Sequence, residues 1–216
     1  MANTKLSDLY DCLYARYGAQ GWWPGEGRLE IIVGAILTQN TNWSNVEKAI
    51  RNLRAAGCLT PEGLYALEMG RLAELIRPAG YFNVKAQRLR NFLEWLFGRF
   101  GGDLDAAAAL STQGLREALL GIKGIGPETA DSICLYAFEK PVFVVDAYTA
   151  RILGRHGMIW PEAGYEEIRE YFEGGLERDA RLFNEFHALL VRVGKEHCKP
   201  TPRCAGCPLE AWPHRV

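Results

Sequence analysis

The chain has 216 residues, 48% of them hydrophobic, and a formal net charge of −1. This length supports one large domain or two small ones with a substantial core, and the near-neutral charge argues against a nonspecific coat on DNA. Residues 1–5 lack the apolar core of a signal peptide, and the longest apolar run, Ile31–Leu37, is too short to span a bilayer. We therefore expect a cytoplasmic protein that does not associate with membranes.

Helical periodicity dominates the chain. Apolar residues recur at intervals of three and four, and Gly or Pro lies near several of the expected ends, which predicts about ten helices with short connections. The predicted helices are Leu6–Tyr17, residues 29–38, Val46–Leu53, one beginning near Pro61, one between Gly70 and Pro78, residues 83–100, Ser111–Leu120, Glu128–Phe138, Ala147–Gly154, Tyr165–Phe172 and Ala180–Val193.

One run, Pro141–Val145, has the composition of a strand. Because no partner strand accompanies it, we predict an extended segment that is buried along its length rather than part of a sheet. The predicted fold class is therefore all-α.

A charged face is predicted on the helix that ends at Phe100. Lys85, Arg88 and Arg90 lie opposite its apolar side. Such a face is usually solvated, although it could also line a DNA groove.

The most informative stretch is Leu120–Ala130, in which Gly124 and Gly126 form a tight turn between two predicted helices. Glycine permits positive φ and close backbone approach, so such a turn can point amide N–H groups at an anion. Pro127 opens the next helix, whose positive dipole end adds to the attraction. The turn is either an ordinary helix–turn–helix connection or a clamp for a nucleic-acid phosphate.

Two carboxylates stand at predicted helix starts. Asp146 follows the apolar run and precedes a helix, where it can act as a plain N-cap or stabilise a developing cation beside an apolar wall. Glu128 opens the helix after the glycine turn, where a carboxylate suits the helix dipole and needs no other role.

Aromatic residues cluster around the polar interruptions of the helical pattern. Trp22 and Trp23 lie in a Gly-rich loop, Trp43 follows a polar segment, and Tyr81 and Phe82 lie in another connection. Each can be core packing, but the tryptophans can also stack on an unstacked base, with a further gain if that base is cationic.

The six cysteines fall into two groups. Cys12, Cys58 and Cys134 are scattered among apolar residues and are predicted to be buried free thiols. The other three lie close together near the C-terminal end.

Those clustered residues, Cys198, Cys204 and Cys207, include a Cys-x-x-Cys pair followed by proline, which is typical of iron–sulfur or zinc ligation. A disulfide or chance clustering is the alternative. With three cysteines present, a four-coordinate site needs His197, His214, a more distant residue or an exogenous ligand.

Three motifs together resemble the helix–hairpin–helix DNA glycosylase superfamily, the endonuclease III class. Leu120–Ala130 resembles its hairpin, Val144–Arg151 its catalytic-aspartate segment and Cys198–Cys207 its iron–sulfur loop. The resemblance covers nearly the whole chain from Leu29 onward. It implies an all-α fold of two helical domains with the active-site cleft between them, one of residues 30–141 and one of residues 1–29 plus 142–216.

Within that superfamily the chain most resembles the 3-methyladenine DNA glycosylase III group, through Trp22–Pro24, Gly34–Thr41, Arg77–Ala86 and a glutamate in the hairpin, Glu128. Members with lyase activity carry a nucleophilic lysine where this chain has Glu128, and a carboxylate cannot form a Schiff base. The resemblance therefore implies a monofunctional glycosylase. The cysteines are a departure, because the best-known form of that group lacks them.

The resemblance also implies roles for the candidate residues. Asp146 is the expected catalytic residue. The expected base-pocket residues are Trp22, Trp23, Trp43 and Glu128; the duplex wedge is Gln39 and Asn40; the phosphate contacts are Lys123, Gly124 and Gly126; and the metal ligands are Cys198, Cys204 and Cys207.

The expected substrate is an alkylated purine such as 3-methyladenine in double-stranded DNA. The expected cofactor is an iron–sulfur cluster of the 4Fe-4S type with an unknown fourth ligand, with zinc as the alternative. We expect a monomer that acts on the nucleoid. The alternatives are a glycosylase for mismatched thymine, uracil or an oxidised base, and a non-catalytic lesion-binding or redox-sensing module.

Overall fold

The computed structural model describes residues 4–215, and these form helices joined by short connections, with no β-strand among them. The all-α prediction is confirmed. The α-helices of this part of the chain are, in order, α1 (Thr4–Tyr17), α2 (Gly27–Leu37), α3 (Trp43–Ala55), α4 (Pro61–Ala66), α5 (Met69–Leu75), α6 (Phe82–Phe100), α7 (Leu104–Ala108), α8 (Thr112–Leu120), α9 (Pro127–Ser132), α10 (Ala147–Arg155), α11 (Tyr165–Gly175) and α12 (Ala180–Glu196). A 3-10 turn spans Arg77–Ala79, and a π-helical turn spans Ile133–Ala137.

The helices differ from the sequence prediction in three places. The short helix α7 was not predicted, because its Ala-rich residues show little apolar periodicity. Gly70 lies inside α5 instead of preceding it. The predicted helix Glu128–Phe138 changes to π-helical geometry after Ser132, where the Phe138 amide donates to the Ile133 carbonyl at 3.3 Å.

The chain divides into two compact units, one running from Pro24 to Phe138 and the other containing the residues before and after that stretch. We call them the central unit and the terminal unit. The central unit contains α2 to α9, and the terminal unit contains α1 and α10 to α12.

The core of the central unit is built on α2, which is apolar nearly all round. It packs against α3, α6, α9 and the π-helical turn. Ile32, Val33, Ile36 and Leu37 have at most 1% of their surface exposed. Because complete burial of such a side chain contributes about 1.5–3 kcal/mol, this helix is a major source of the stability of the unit.

The charged face predicted on α6 is not a solvated face. Lys85 has 1% of its surface exposed, and its ammonium donates to the carbonyls of Leu37, at 2.9 Å, and Ala79, at 2.7 Å. Arg90 donates to the carbonyls of Tyr65 and Leu67. The prediction of solvation was wrong here because these cations satisfy carbonyl groups at the ends of neighbouring segments, which a periodicity pattern does not show.

The core of the terminal unit is aromatic. The Phe143 ring stacks on Phe172 with 3.7 Å between centroids, and Phe183 and Phe186 meet it edge to face. Phe143 belongs to the segment Pro141–Val145, which is extended and buried from Val142 onward, as predicted.

Glu173 of α11 holds this extended segment in place. Its carboxylate accepts a hydrogen bond from the Phe143 amide at 3.0 Å and pairs with Arg169 at 2.8 Å and Arg178 at 3.0 Å. A segment without strand partners must have its amide groups satisfied by other means, and this carboxylate supplies one such partner. The last residue of the segment is followed at once by Asp146.

The scattered cysteines divide by burial. Cys58 and Cys134 are buried free thiols, as predicted. Cys12 is only half-buried, and its thiol donates to the Pro208 carbonyl at 3.2 Å. Among residues 4–215, no helix is long and apolar enough to cross a membrane.

Candidate active site

The glycine turn lies in the central unit, between α8 and α9. Gly124 has φ +95°, and a Cβ there would lie 2.6 Å from the Cγ atom of Arg88, so both conformation and space require glycine. Gly126 differs: with φ −92° and ψ 178° it is ordinary extended backbone, and a Cβ would meet no atom within 4 Å. Gly126 therefore leaves the start of α9 uncovered, which suits an approaching phosphate.

Two side chains hold the carbonyl groups of the turn. The Asn91 amide donates to the Lys123 carbonyl at 2.8 Å, and the Gln39 amide donates to the Gly124 carbonyl at 3.3 Å. In a trans peptide the C=O and the following N–H point in opposite directions. The Gly124 N–H therefore points away from Asn91, on a turn whose residues Lys123, Gly124 and Gly126 are exposed.

An ion pair with a buried carboxylate joins the two helices of the hairpin. The Asp131 carboxylate, which has no exposed surface, accepts two hydrogen bonds from Arg116, at 2.6 and 3.1 Å. Because the pair is bidentate, it fixes the angle at which α8 and α9 approach as well as their separation. The sequence reasoning did not single out either residue.

Gln39 connects the predicted wedge segment to the hairpin. Its amide also donates to the Thr129 hydroxyl at 2.8 Å, and its carbonyl oxygen accepts a hydrogen bond from Arg88. Both ends of the side chain are thus engaged. Asn40, by contrast, is exposed and adopts φ +53°.

A second exposed residue with left-handed backbone lies in the connection before α6. Tyr81 has φ +45° and 73% of its surface exposed. The Lys85 ammonium donates to the carbonyls of Leu37 and Ala79. Leu37 is close in sequence to Asn40, and Ala79 is close in sequence to Tyr81. This lysine therefore anchors both connections that carry exposed left-handed residues.

Asp146 in the terminal unit is the N-cap of α10. Its Oδ1 atom accepts hydrogen bonds from the Thr149 amide at 2.8 Å and the Thr149 hydroxyl at 2.9 Å. Its Oδ2 atom lies 3.7 Å from Nε2 of His187, a buried residue of α12 that the sequence reasoning missed.

The environment of Asp146 keeps it ionised. Burial by itself raises the pKa of Asp146, but the His187 side chain and the two Thr149 hydrogen bonds outweigh burial, so that the net pKa lies below its usual value. The result is a carboxylate with one oxygen fixed by Thr149 and the other held beside His187. An oriented negative charge of this kind, with only 15% of its side chain exposed, stabilises a cation that develops next to it.

The predicted base-pocket residues are divided between the two units. In the terminal unit Trp22 and Trp23 are half-buried and meet edge to face with 5.5 Å between centroids, and the Lys195 ammonium lies 5.7 Å from the Trp22 centroid. In the central unit Trp43 opens α3, and Glu128 is an exposed residue in the first turn of α9. The assignment of these four residues to a base pocket stays a prediction.

The three clustered cysteines line one pocket of the terminal unit. It holds about 380 Å³ of empty space, open solvent included, and its wall also contains Arg155, His156, His197 and His214. Burial raises the pKa of Cys207, and the other two thiols raise it further. The Arg155 guanidinium donates a hydrogen bond to the Cys198 sulfur at 3.2 Å.

Cysteine thiolates are ligands both of zinc and of iron–sulfur clusters. Ligands of a single zinc ion lie about 2.3 Å from one point, whereas each thiolate of a cluster binds its own iron. Within residues 4–215 no group of three His, Cys, Asp or Glu side chains is placed to hold a metal ion. The thiols share a pocket lined by cationic groups, which is the charge environment that several thiolates require.

Comparisons with known proteins identify the family of the chain. The model of the HhH-GPD superfamily of base excision DNA repair proteins matches residues 33–178. The putative DNA repair glycosylase MJ1434 of Methanocaldococcus jannaschii is 45% identical over 94% of this chain and 93% of its own length.

Solved structures show the same fold. The 3-methyladenine DNA glycosylase MagIII of H. pylori, bound to 1,N6-ethenoadenine, is 32% identical with a TM-score of 0.75, over 89% of this chain and 95% of its own. An endonuclease III in a non-covalent complex with DNA has a TM-score of 0.80 at 21% identity, over 97% and 94% of the two chains. The chain therefore belongs to the HhH-GPD superfamily of base excision DNA repair proteins and is a DNA glycosylase of that family.

Proposed function

We propose that this glycosylase is monofunctional and removes alkylated purines, such as 3-methyladenine, from double-stranded DNA. The observation that carries the proposal is the pair of carboxylates: Asp146 is oriented and ionised, while Glu128 stands in the hairpin where a lyase needs a lysine. The substrate class is supported by the likeness to MagIII, which was solved with a modified adenine.

Asp146 acts on the sugar in this proposal. As the glycosidic bond of a flipped nucleotide lengthens, positive charge develops on the sugar, and the fixed carboxylate stabilises it. The same carboxylate orients the attacking water. An alkylated purine carries a positive charge of its own and leaves readily, so the site needs no strong general acid.

The tryptophans select the base. An indole face attracts a cation, and the Lys195 ammonium over the Trp22 ring illustrates that attraction within this chain. Trp22 and Trp23, together with Trp43, would stack on the cationic purine, and Glu128 would add a negative charge nearby.

The hairpin binds the DNA backbone without reading sequence. Gly124 presents an outward N–H, Gly126 leaves the start of α9 open, and Lys123 adds a positive charge. Of the two predicted wedge residues, we assign insertion into the duplex to Asn40 and a positioning role to Gln39, whose amide is engaged by the hairpin and Arg88.

The cofactor proposed is a 4Fe-4S cluster held by Cys198, Cys204 and Cys207. When bound, such a cluster cross-links the loop that carries these cysteines. Arg151 and Arg155 of α10 donate to the Cys198 and Lys199 carbonyls, at 2.7 and 2.6 Å respectively. The cysteine loop is therefore joined to the helix that Asp146 caps.

A panel of duplexes tests the substrate class. It contains 3-methyladenine, 1,N6-ethenoadenine, uracil or thymine opposite guanine, and oxidised bases, and base release is measured in single turnovers. We expect release of the alkylated purines. Release confined to uracil, thymine or oxidised bases would overturn the assignment, and damaged-site binding without release of any base would favour a non-catalytic module.

Borohydride trapping tests the absence of lyase activity. A Schiff base between a lysine and the opened sugar is reduced to a stable cross-link, and we expect none with the wild-type protein. The matched variant is Glu128→Lys, which restores the residue that lyases use and should cross-link. Efficient cross-linking of the wild type would show that another lysine serves as nucleophile.

A further inference from the structure

Helix α6 carries a row of polar side chains that reach neighbouring segments of the central unit. Lys85, Arg88 and Asn91 follow one another at intervals of three residues, which makes them neighbours along one side of the helix. With 19 residues, α6 is the longest helix between residues 4 and 215. A row on such a helix can hold several segments at fixed positions relative to one another.

The first and last members of this row hold main-chain groups. The Lys85 ammonium donates at 2.9 Å to the carbonyl of Leu37, the last residue of α2. The Asn91 amide donates at 2.8 Å to the carbonyl of Lys123 in the glycine turn. Because both partners are main-chain carbonyls, these bonds fix where each segment lies without orienting any of its side chains.

Arg88, in the middle of the row, contacts both the wedge segment and the hairpin. Its Nη1 atom donates to the side-chain oxygen of Gln39, and its Cγ, Cδ and Nε atoms pack against Gly124. The Gln39 amide in turn donates to the Gly124 carbonyl at 3.3 Å and to the Thr129 hydroxyl at 2.8 Å. Arg88 thus holds the side chain through which the wedge segment is bound to the hairpin.

The guanidinium also determines which way the Gln39 amide points. A guanidinium can only donate, so the oxygen of the amide faces Arg88 and its NH₂ group faces the hairpin. An amide turned the other way would bring its oxygen against the Gly124 carbonyl, and two acceptors repel each other. With Arg88 present, both ends of the Gln39 side chain are satisfied.

The wedge residue Asn40 directly follows Gln39 along the chain. It is exposed, and its φ of +53° lies in the left-handed region, which asparagine adopts more readily than most residues. Such a conformation persists where the surrounding structure supports it. A Gln39 side chain bound at both ends gives that support on one side of Asn40.

We propose that Arg88 is a positioning residue that couples backbone binding to insertion: it holds Gln39 against the hairpin and so presents Asn40 to the duplex. The inference rests on the proposed insertion of Asn40 and not on the proposed substrate. Lys85 and Asn91 set where the two segments lie, whereas Arg88 links one segment to the other.

The test measures insertion in a duplex from which no base can be released. The duplex contains a tetrahydrofuran residue, an abasic analogue, with the fluorescent base 2-aminopurine next to it, so that insertion alters stacking and therefore fluorescence. The full-length wild type, Arg88→Met, Asn40→Ala and the double variant are compared at saturating protein. Each single variant should reduce the fluorescence change by about threefold or more, and the double variant should lose no more than Asn40→Ala alone.

Two further variants separate positioning from charge. Thr129→Val removes the hydroxyl that accepts from Gln39 but keeps every charge, and it should also reduce the fluorescence change. Arg71→Gln removes an exposed arginine of α5 that pairs with Glu74 at 2.5 Å, and it should respond as the wild type does. Because Thr129→Val leaves Arg88 in place, the test remains decisive even if Arg88→Met fails to fold.

Three results would overturn the proposal. They are a wild-type fluorescence change in Arg88→Met, a wild-type change in Thr129→Val, and a double variant that loses the full Arg88→Met factor in addition to that of Asn40→Ala. If Asn40→Ala itself responds as the wild type does, the insertion assigned to Asn40 fails and the inference fails with it. If Asn40→Ala loses the signal and Arg88→Met does not, the inference alone fails.

Discussion

The replacement of Lys85 by methionine tests how much one buried cation contributes to the central unit. Methionine fills nearly the same space with an apolar chain, so the variant removes the ammonium without opening a large cavity. What changes is the pair of carbonyl groups at Leu37 and Ala79, which lose their donor inside the protein. Lys48, an exposed lysine of α3, provides the matched control Lys48→Met.

The expected magnitude follows from these two bonds. A hydrogen bond from a charged donor contributes about 1.5–3 kcal/mol, and relief from burying the ammonium offsets part of the loss. We expect the free energy of unfolding to fall by about 2–4 kcal/mol in Lys85→Met. For a chain of this size the melting temperature should drop by about 5–15 °C, while Lys48→Met should stay within about 0.5 kcal/mol of the wild type.

Urea unfolding measures the change, and hydrogen exchange localises it. The slope of the unfolding free energy against urea should stay the same, and the amides around Asn40 and Tyr81 should exchange faster than the rest of the unit. An unfolding free energy equal to that of the wild type would refute the reasoning, because it would mean that water satisfies both carbonyls at no cost.

The stability that Lys85 contributes should also depend on pH. Burial, followed by the nearby Arg88 charge, lowers the pKa of Lys85 in the folded state. Between that pKa and the unfolded value of about 10.4 the unfolded chain binds more protons, so this lysine makes stability rise with pH. The stability difference between wild type and Lys85→Met should therefore widen in alkaline buffer. A difference that narrows there would contradict the assigned direction.

Three further variants address the hairpin, the wedge segment and the catalytic carboxylate. Asp131→Asn removes the buried anion that accepts both Arg116 hydrogen bonds and should lower the free energy of unfolding by about 3 kcal/mol in denaturant titration; a loss under about 1 kcal/mol would mean that the pair is well solvated. Gln39→Ala should weaken binding to undamaged duplex in a fluorescence assay, because the Gly124 carbonyl loses a donor; unchanged binding would show that the turn holds its shape unaided. Asp146→Asn should reduce single-turnover base release by about 10²–10⁴-fold. Because the pKa of Asp146 is depressed in the folded state, this carboxylate contributes stability that the wild type loses as pH falls below about 4, and the variant should lose less unfolding free energy over that range. An equal loss of unfolding free energy in both proteins would contradict this linkage.

Features that depend on neighbours in sequence could be predicted. The apolar spacing of α2 and α12 and the N-cap position of Asp146 are local patterns, and each was found where the pattern put it. The buried extended segment Pro141–Val145 also followed from its composition and from the lack of a partner strand. Motif order then supplied the family, because a hairpin, an aspartate and a cysteine loop in sequence are far more specific together than alone.

Features that depend on distant partners could not be predicted. From the sequence alone, Lys85 is expected on a solvated face. Its partners, the carbonyls of Leu37 and Ala79, are supplied by the fold, and Leu37 lies 48 positions away along the chain. His187 becomes relevant only because α12 brings it to within 3.7 Å of Asp146. Both residues are polar groups buried in the fold, and such groups persist only where the tertiary structure supplies their partners. His187 could have been found, because it stands among the apolar residues of the α12 pattern, and a buried polar group requires a partner. Lys85 could not, because the pattern of its helix puts it opposite the apolar side.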